Sequence, residues 1–152
     1  MLKRFWLDLM KAPKAALVFG LGGLLPFLAL TVLALMARKL GDRDCLVVLV
    51  QYTAVILSFV GALHWGYALK EDAQGGQAWL RYGWSVVPAL IAFAALQLPI
   101  LIGLRVEALT IVLALLVDRL LDQRMSVSAW MRSLRLLLTT VVASLLLIAS
   151  FA

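Results

Sequence analysis

The chain contains one cysteine, Cys45, and one histidine, His64, in 152 residues. A single cysteine excludes an intrachain disulfide and a cysteine-built metal site, and a single histidine excludes ligation of a haem by two histidines. The sequence also lacks the H-E-x-x-H, P-loop and G-x-S-x-G motifs, which carry metalloprotease, nucleotide and hydrolase chemistry. We therefore predict a protein that is not an enzyme, with no catalytic residues, no metal site and no cofactor.

Charged residues are scarce as well: they make up 14% of the chain, whereas 64% is hydrophobic. A soluble domain is nearer ~45–50% apolar and ~25% charged, so a water-soluble fold of this length could not hide so much apolar surface. The net charge of +6 would suggest nucleic acid in a soluble protein. Here the basic residues flank apolar runs, as orientation in a membrane requires. We predict the lipid bilayer as a partner and no nucleic acid.

Long apolar runs predict an all-α membrane helix bundle that forms a single domain over residues 1–152. Residues 1–14 interleave basic and apolar side chains, and they predict an amphipathic helix that lies on the membrane surface. Five membrane-spanning helices follow. Their predicted limits are about 15–37, 45–69, 83–98, 106–121 and 134–152.

The third and fourth spans come from one apolar stretch, residues 83–121, which is too long for a single span. Pro99 interrupts this stretch, and two spans joined by a tight turn use its full length. The division places Arg105 and Glu107 at the outer tip of a hairpin. It also puts the basic segment before the last span on the same side as the basic N-terminus, as the charge distribution requires.

Basic residues predict the orientation, because short cytoplasmic loops are enriched in Lys and Arg. With the N-terminus inside, only Arg38, Lys39, Arg43 and Arg105 of the 14 Lys and Arg residues lie outside. We therefore predict that the N-terminus is cytoplasmic and that the C-terminus lies outside.

Small residues occur at every fourth position of the second predicted span, which places them on one helical face. Such residues let the backbones of membrane helices approach closely, so we predict that this row is the seam on which other helices pack. Gly20 and Gly23 in the first span are further positions of close helix packing. The row consists of Ala54, Ser58, Ala62 and Gly66.

His64 lies in the second span, ~10 Å from its middle toward the inner face. An ionisable residue at that depth is a candidate functional residue. In one interpretation it is a neutral imidazole that bonds to a backbone carbonyl or a hydroxyl of a neighbouring span. In the other it serves a proton relay, an anion or a ligand. Asp118 and Arg119 end the fourth span at the same face, as interface markers or, alternatively, as members of such a relay.

A polar pocket is predicted near the inner interface, between the second and third spans. Pro88 lacks a backbone donor and frees the carbonyl of Trp84, and the loop 70–81 brings this region close to the end of the helix that bears His64. The candidate ligand-binding residues are His64, Trp65, Ser58, Ser85 and Pro88.

Three sequence elements resemble the family called domain of unknown function 3429, which is similar to mitochondrial transmembrane protein 69. In that family His or Arg stands at the position of His64, which argues against metal or haem ligation, and a second glycine often replaces Ala62. The resemblance covers most of the chain; it implies a multi-pass protein of the cell inner membrane and implies no activity. The elements are G-L-L-P-F at Gly23–Phe27, then Ser58, Phe59, Gly61, Trp65 and Gly66, and finally Trp84, Ser85 and Pro88.

These features predict a small structural or accessory protein of a membrane complex. Such a role implies another membrane protein or a second copy of the chain as a partner. The first alternative is a carrier or binder of a small hydrophobic or anionic ligand in a pocket near His64. The second alternative is an intramembrane enzyme, which would need a further catalytic group within hydrogen-bond reach of that histidine.

Overall fold

The computed structural model describes residues 2–37, 43–122 and 127–151, and in this part of the chain every regular element is an α-helix. The helices are α1 (Leu2–Leu9), α2 (Lys14–Gly22), α3 (Leu24–Ala37), α4 (Asp44–Lys70), α5 (Gly75–Ala95), α6 (Ile100–Asp122) and α7 (Ala129–Ala149). Together α2 and α3 form the first of five helical segments that are long and apolar enough to cross a membrane. This arrangement confirms the predicted all-α bundle with five membrane-spanning helices.

Three of the crossings begin earlier in the chain than predicted. For the third crossing, the difference is explained by Arg81, a charged residue near its start. Arg81 is buried in the polar first part of α5, and it forms an ion pair with Glu71 just after α4. The pair neutralises a charge that would otherwise keep this segment out of a span. The observed starts are Gly75 rather than Gly83, Ile100 rather than residue 106, and Ala129 rather than residue 134.

The fourth crossing starts directly after Pro99. The carbonyl of this proline accepts the first two backbone hydrogen bonds of α6, at 2.8 and 2.9 Å. A proline is well suited to the start of a helix, because its missing N–H would have no partner there in any case. The prediction that Arg105 and Glu107 lie at the tip of the hairpin is therefore wrong, since both residues are inside α6.

The central helix of the bundle is α4, which contacts α3, α5 and α6. Its buried face carries Thr53, Leu57 and Gly61, and a Cβ atom on Gly61 would lie only 2.3 Å from the carbonyl oxygen of Ser85. The close backbone approach therefore occurs one position before the predicted row of small residues. That row is not the packing seam within the chain, and the prediction is corrected. Ser58, Ala62 and Gly66 are exposed, and Ala54 is half-buried.

The first crossing is interrupted at Gly23, between α2 and α3. The Tyr52 hydroxyl donates a hydrogen bond to the carbonyl oxygen of Gly23 at 3.1 Å, which ties the interruption to α4. A Cβ atom on Gly20 would lie 3.5–3.8 Å from the side chains of Leu134 and Leu138 on α7. Both glycines thus lie where the first crossing meets other helices.

Candidate functional site

Three side chains form an ionic cluster where the ends of α4 and α6 meet the start of α7. His64 Nε2 is 2.7 Å from Asp118 Oδ1. Arg135 donates from Nε to Asp118 Oδ2 at 2.8 Å, and its Nη2 reaches the same oxygen. We call these three residues the Asp118 cluster. His64 is buried and the other two are half-buried, so the cluster is largely shielded from solvent.

The contacts of the cluster define the hydrogen-bonding role of each ring nitrogen of His64. An ionised carboxylate only accepts hydrogen bonds, so Nε2 of His64 donates to Asp118. Nδ1 is buried and has no hydrogen-bond partner among the described residues. The interpretation of His64 as bonded to a backbone carbonyl or hydroxyl is therefore wrong, because its partner is a carboxylate. Nδ1 remains as the polar atom of the ring that a water molecule or a ligand could engage.

A small cavity lies beside the imidazole, with a volume of about 20 Å³. A space of this size holds about one water molecule. Arginines are the main polar groups around it besides His64 and Asp118. The cavity is lined by Leu63, His64, Tyr67, Leu115, Asp118, Arg119, Val127, Met131, Arg132 and Arg135.

The five candidate ligand-binding residues do not come together in one pocket. Successive side chains on a helix point about 100° apart, so Trp65 and Ser58 are directed away from His64. Both are exposed: the Ser58 hydroxyl donates to its own helix at 2.9 Å, and the Trp65 ring meets Tyr82 edge-on with centroids 4.9 Å apart. Ser85 and Pro88 are buried, and they pack against Gly61 rather than against the imidazole.

An apolar groove runs along the bundle between the first crossing, α4 and α7. Its volume of about 320 Å³ is within the range of small-molecule sites, roughly 300–1,000 Å³. Arg135 and Thr139 are its polar residues, and the Thr139 hydroxyl is buried without a partner among the described residues. Its walls include Phe19, Phe27, Phe59, Leu63, Leu134 and Leu138.

The groove adjoins the cavity beside His64, because Leu63, Met131 and Arg135 line both. An elongated molecule in the groove would therefore have an apolar body between helices and one end at the Asp118 cluster. This arrangement has the two parts of a site for an amphipathic ligand, namely an extended apolar wall and a few polar groups that fix orientation.

Sequence reasoning placed Asp118 at the same face as His64, as an interface marker or a member of a relay, but it did not predict the direct pairing or the part of Arg135 in it. A signal exists, because Thr53 and His64 on α4 are three helical turns apart, as are Glu107 and Asp118 on α6. This spacing places each polar pair on one face of its own helix, so a contact between one residue of each pair would bring the other two residues together as well. From the sequence, however, Arg135 is only one of the basic residues that set the orientation.

Glu107 is a second buried charged residue that sequence reasoning misplaced. It is 0% exposed, and neither carboxylate oxygen has a hydrogen-bond partner among the described residues. The Thr53 hydroxyl donates its proton to the Leu49 carbonyl at 2.8 Å rather than to this carboxyl. An acidic residue at this depth without a donor is a site of high energetic cost.

Comparison with known proteins yields a family match and a relative. The model of the family described as "Protein of unknown function (DUF3429)" matches residues 12–151. Transmembrane protein 69 of Xenopus tropicalis is 39% identical over 85 residues, which cover 56% of this chain and 33% of the relative. The chain thus matches about a third of that protein's length. No solved structure shows significant similarity to the chain.

Proposed function

Because the chain belongs to the DUF3429 family of proteins of unknown function and is an integral membrane protein, we propose that it binds an amphipathic, lipid-like molecule. The observation that carries the proposal is that the apolar groove adjoins the Asp118 cluster, since Leu63, Met131 and Arg135 line both the groove and the cavity beside His64. The apolar part of the ligand lies against the first crossing, α4 and α7. Its polar end lies at the Asp118 cluster, where the groove adjoins the cavity beside His64.

The position of Thr139 supports a ligand that carries a polar group part-way along its apolar chain. Its hydroxyl is buried, lines the groove, and has no partner among the described residues. A buried hydroxyl without a hydrogen bond costs ~1–3 kcal/mol, and a ligand that supplies a partner would remove this cost. The proposal includes no catalytic step.

A photoreactive amino acid at position 138 tests the groove. Leu138 lines it, whereas Thr140, two residues on, is exposed on another face of α7. We expect irradiation in native membranes to give one enriched lipid adduct from position 138. The matched probe at position 140 should give a mixture that reflects the bulk lipid. The same mixture from both positions would mean that the groove holds only bilayer lipid.

We further propose that the protein lies in the cell inner membrane with its N-terminus in the cytoplasm. The uneven distribution of the 14 Lys and Arg residues supports this orientation. A topology reporter fused after Ala152 should report the outer side, and one inserted between Gly75 and Gly76 should report the cytoplasmic side. Reports of the same side from both positions would contradict the three crossings, α5, α6 and α7, that separate the two reporters.

An accessory role in a membrane complex is a second proposal. Ala62 and Gly66 are exposed on α4, and a Cβ on Gly66 would meet nothing within 4 Å. Small exposed residues on a membrane helix permit close contact with a helix of another protein. A partner of this kind would appear in the native mass spectrum of the gently extracted protein as a bound polypeptide.

A further inference from the structure

A third cavity adjoins the one beside His64, because Arg119 and Arg132 line both. It lies between α1, α6 and α7, and its volume is about 540 Å³. The surface helix α1 packs against α7, which brings the basic N-terminal segment to this place. We call this cavity the basic shelf. It is lined by Arg4, Phe5, Asp8, Arg119, Ala129, Arg132, Ser133 and Leu136.

The basic shelf carries positive charge that the protein itself does not neutralise. Three arginines face one carboxylate, Asp8. The ion pairs among the described residues are His64–Asp118, Arg81–Glu71 and Arg135–Asp118, so none of the shelf arginines takes part in one. Arg119 and Arg132 are exposed. Unpaired arginines at the end of a membrane bundle attract anionic headgroups, and a guanidinium can bind a phosphate with two hydrogen bonds.

The three cavities follow one another from apolar to basic. The groove shares Arg135 with the cavity beside His64, and that cavity shares Arg119 and Arg132 with the basic shelf. A molecule whose apolar chain lies in the groove would therefore have its head near these arginines. Resting on the proposed function, we infer that the ligand is a phospholipid with a net negative headgroup, whose phosphate is bound by Arg119 and Arg132.

The chemistry of the arginines favours a phosphate over a neutral head. The carboxylate of Asp118 already occupies Arg135, so the free guanidinium groups are those of the basic shelf. Two such groups on different helices, α6 and α7, converge on one cavity. A phosphate diester has enough acceptor oxygens to bond to both at once.

The test compares binding of phosphatidylglycerol and phosphatidylcholine to the delipidated, detergent-solubilised full chain, with native mass spectrometry as the readout. We expect the wild type to prefer phosphatidylglycerol by about tenfold or more. The double variant Arg119→Gln/Arg132→Gln should lose the preference and still bind phosphatidylcholine. The matched control is Lys14→Gln/Lys70→Gln, which removes the same charge from two exposed lysines outside the shelf, and it should keep the preference.

Each other outcome has a distinct meaning. Equal loss of preference in both double variants would assign it to overall surface charge and overturn the role of the basic shelf. Binding of both lipids by the wild type without preference would overturn the anionic head and leave the groove in place. Binding of neither lipid would contradict the proposed function itself. Displacement of phosphatidylglycerol by inorganic phosphate at matched ionic strength would identify free phosphate, not a lipid, as the shelf ligand.

Discussion

Gly61→Leu is expected to prevent stable folding, whereas Gly66→Leu on the same helix should leave stability almost unchanged. A Cβ atom at position 61 would lie 2.3 Å from the Ser85 carbonyl oxygen and 3.4 Å from the Pro88 ring. The oxygen belongs to the backbone of α5 and cannot rotate away, so the whole helix would have to move. Overpacking of a core costs about 1–3 kcal/mol and sometimes more. At position 61 the Cβ alone already clashes, and a leucine side chain adds several atoms beyond it.

Thermal unfolding in mild detergent measures the difference. Gly61→Ala adds only the clashing atom, so it should already lower the unfolding temperature, while Gly66→Ala meets nothing within 4 Å and is the matched control. Similar unfolding temperatures for these two alanine variants would show that α4 and α5 do not approach closely at Gly61.

Asp118→Leu is expected to destabilise the protein, by less than the ~3–5 kcal/mol that removal of one partner from a fully buried ion pair costs, because Asp118 and Arg135 are half-buried. The substitution leaves the half-buried guanidinium of Arg135 without its carboxylate, and it leaves Nε2 of His64 without its acceptor. Asp118→Asn should cost less, because it keeps one acceptor oxygen at the same place. Arg119→Leu changes the adjacent exposed residue and should have little effect on stability.

A double variant separates the loss of the ion pair from the loss of packing. Asp118→Leu/Arg135→Leu removes both charges, so it should be more stable than Asp118→Leu alone, because no unpaired guanidinium remains. Denaturation in detergent at several concentrations of denaturant provides the free energies for this comparison. If the double variant were less stable than Asp118→Leu by the full cost of a second core substitution, the pair would not be coupled.

Hydropathy predicted the number of crossings because a bilayer requires about 20 apolar residues for each span. The starts of the later crossings could not be predicted in the same way. The beginning of α5 contains two glycines and Arg81, which are typical of a loop, and the ion pair between Arg81 and Glu71 cannot be predicted from the sequence. The position of Pro99 indicated a boundary, but not that the helix begins directly after it.

Prediction of the candidate site requires the rotation of each helix about its own axis, which the sequence only partly constrains. His64 was identified from the sequence by its depth, and it is buried as a polar residue in the structure. The row from Ala54 to Gly66 differs by one position from the row that includes Gly61, and one position turns the helix by about 100°. Asp118 and Arg135 resemble interface markers until α4, α6 and α7 are placed side by side.

Native mass spectrometry of the gently extracted protein tests the central claim, that the groove beside the Asp118 cluster holds a lipid-like molecule. We expect wild-type protein to carry one retained adduct of lipid mass. Gly20→Trp should lose it, because a side chain at this position extends toward Leu134 and Leu138 in the groove wall. Gly22→Trp should keep it, since a Cβ there meets nothing within 4 Å. Wild-type protein without an adduct, or an adduct equally retained by Gly20→Trp, would contradict the claim.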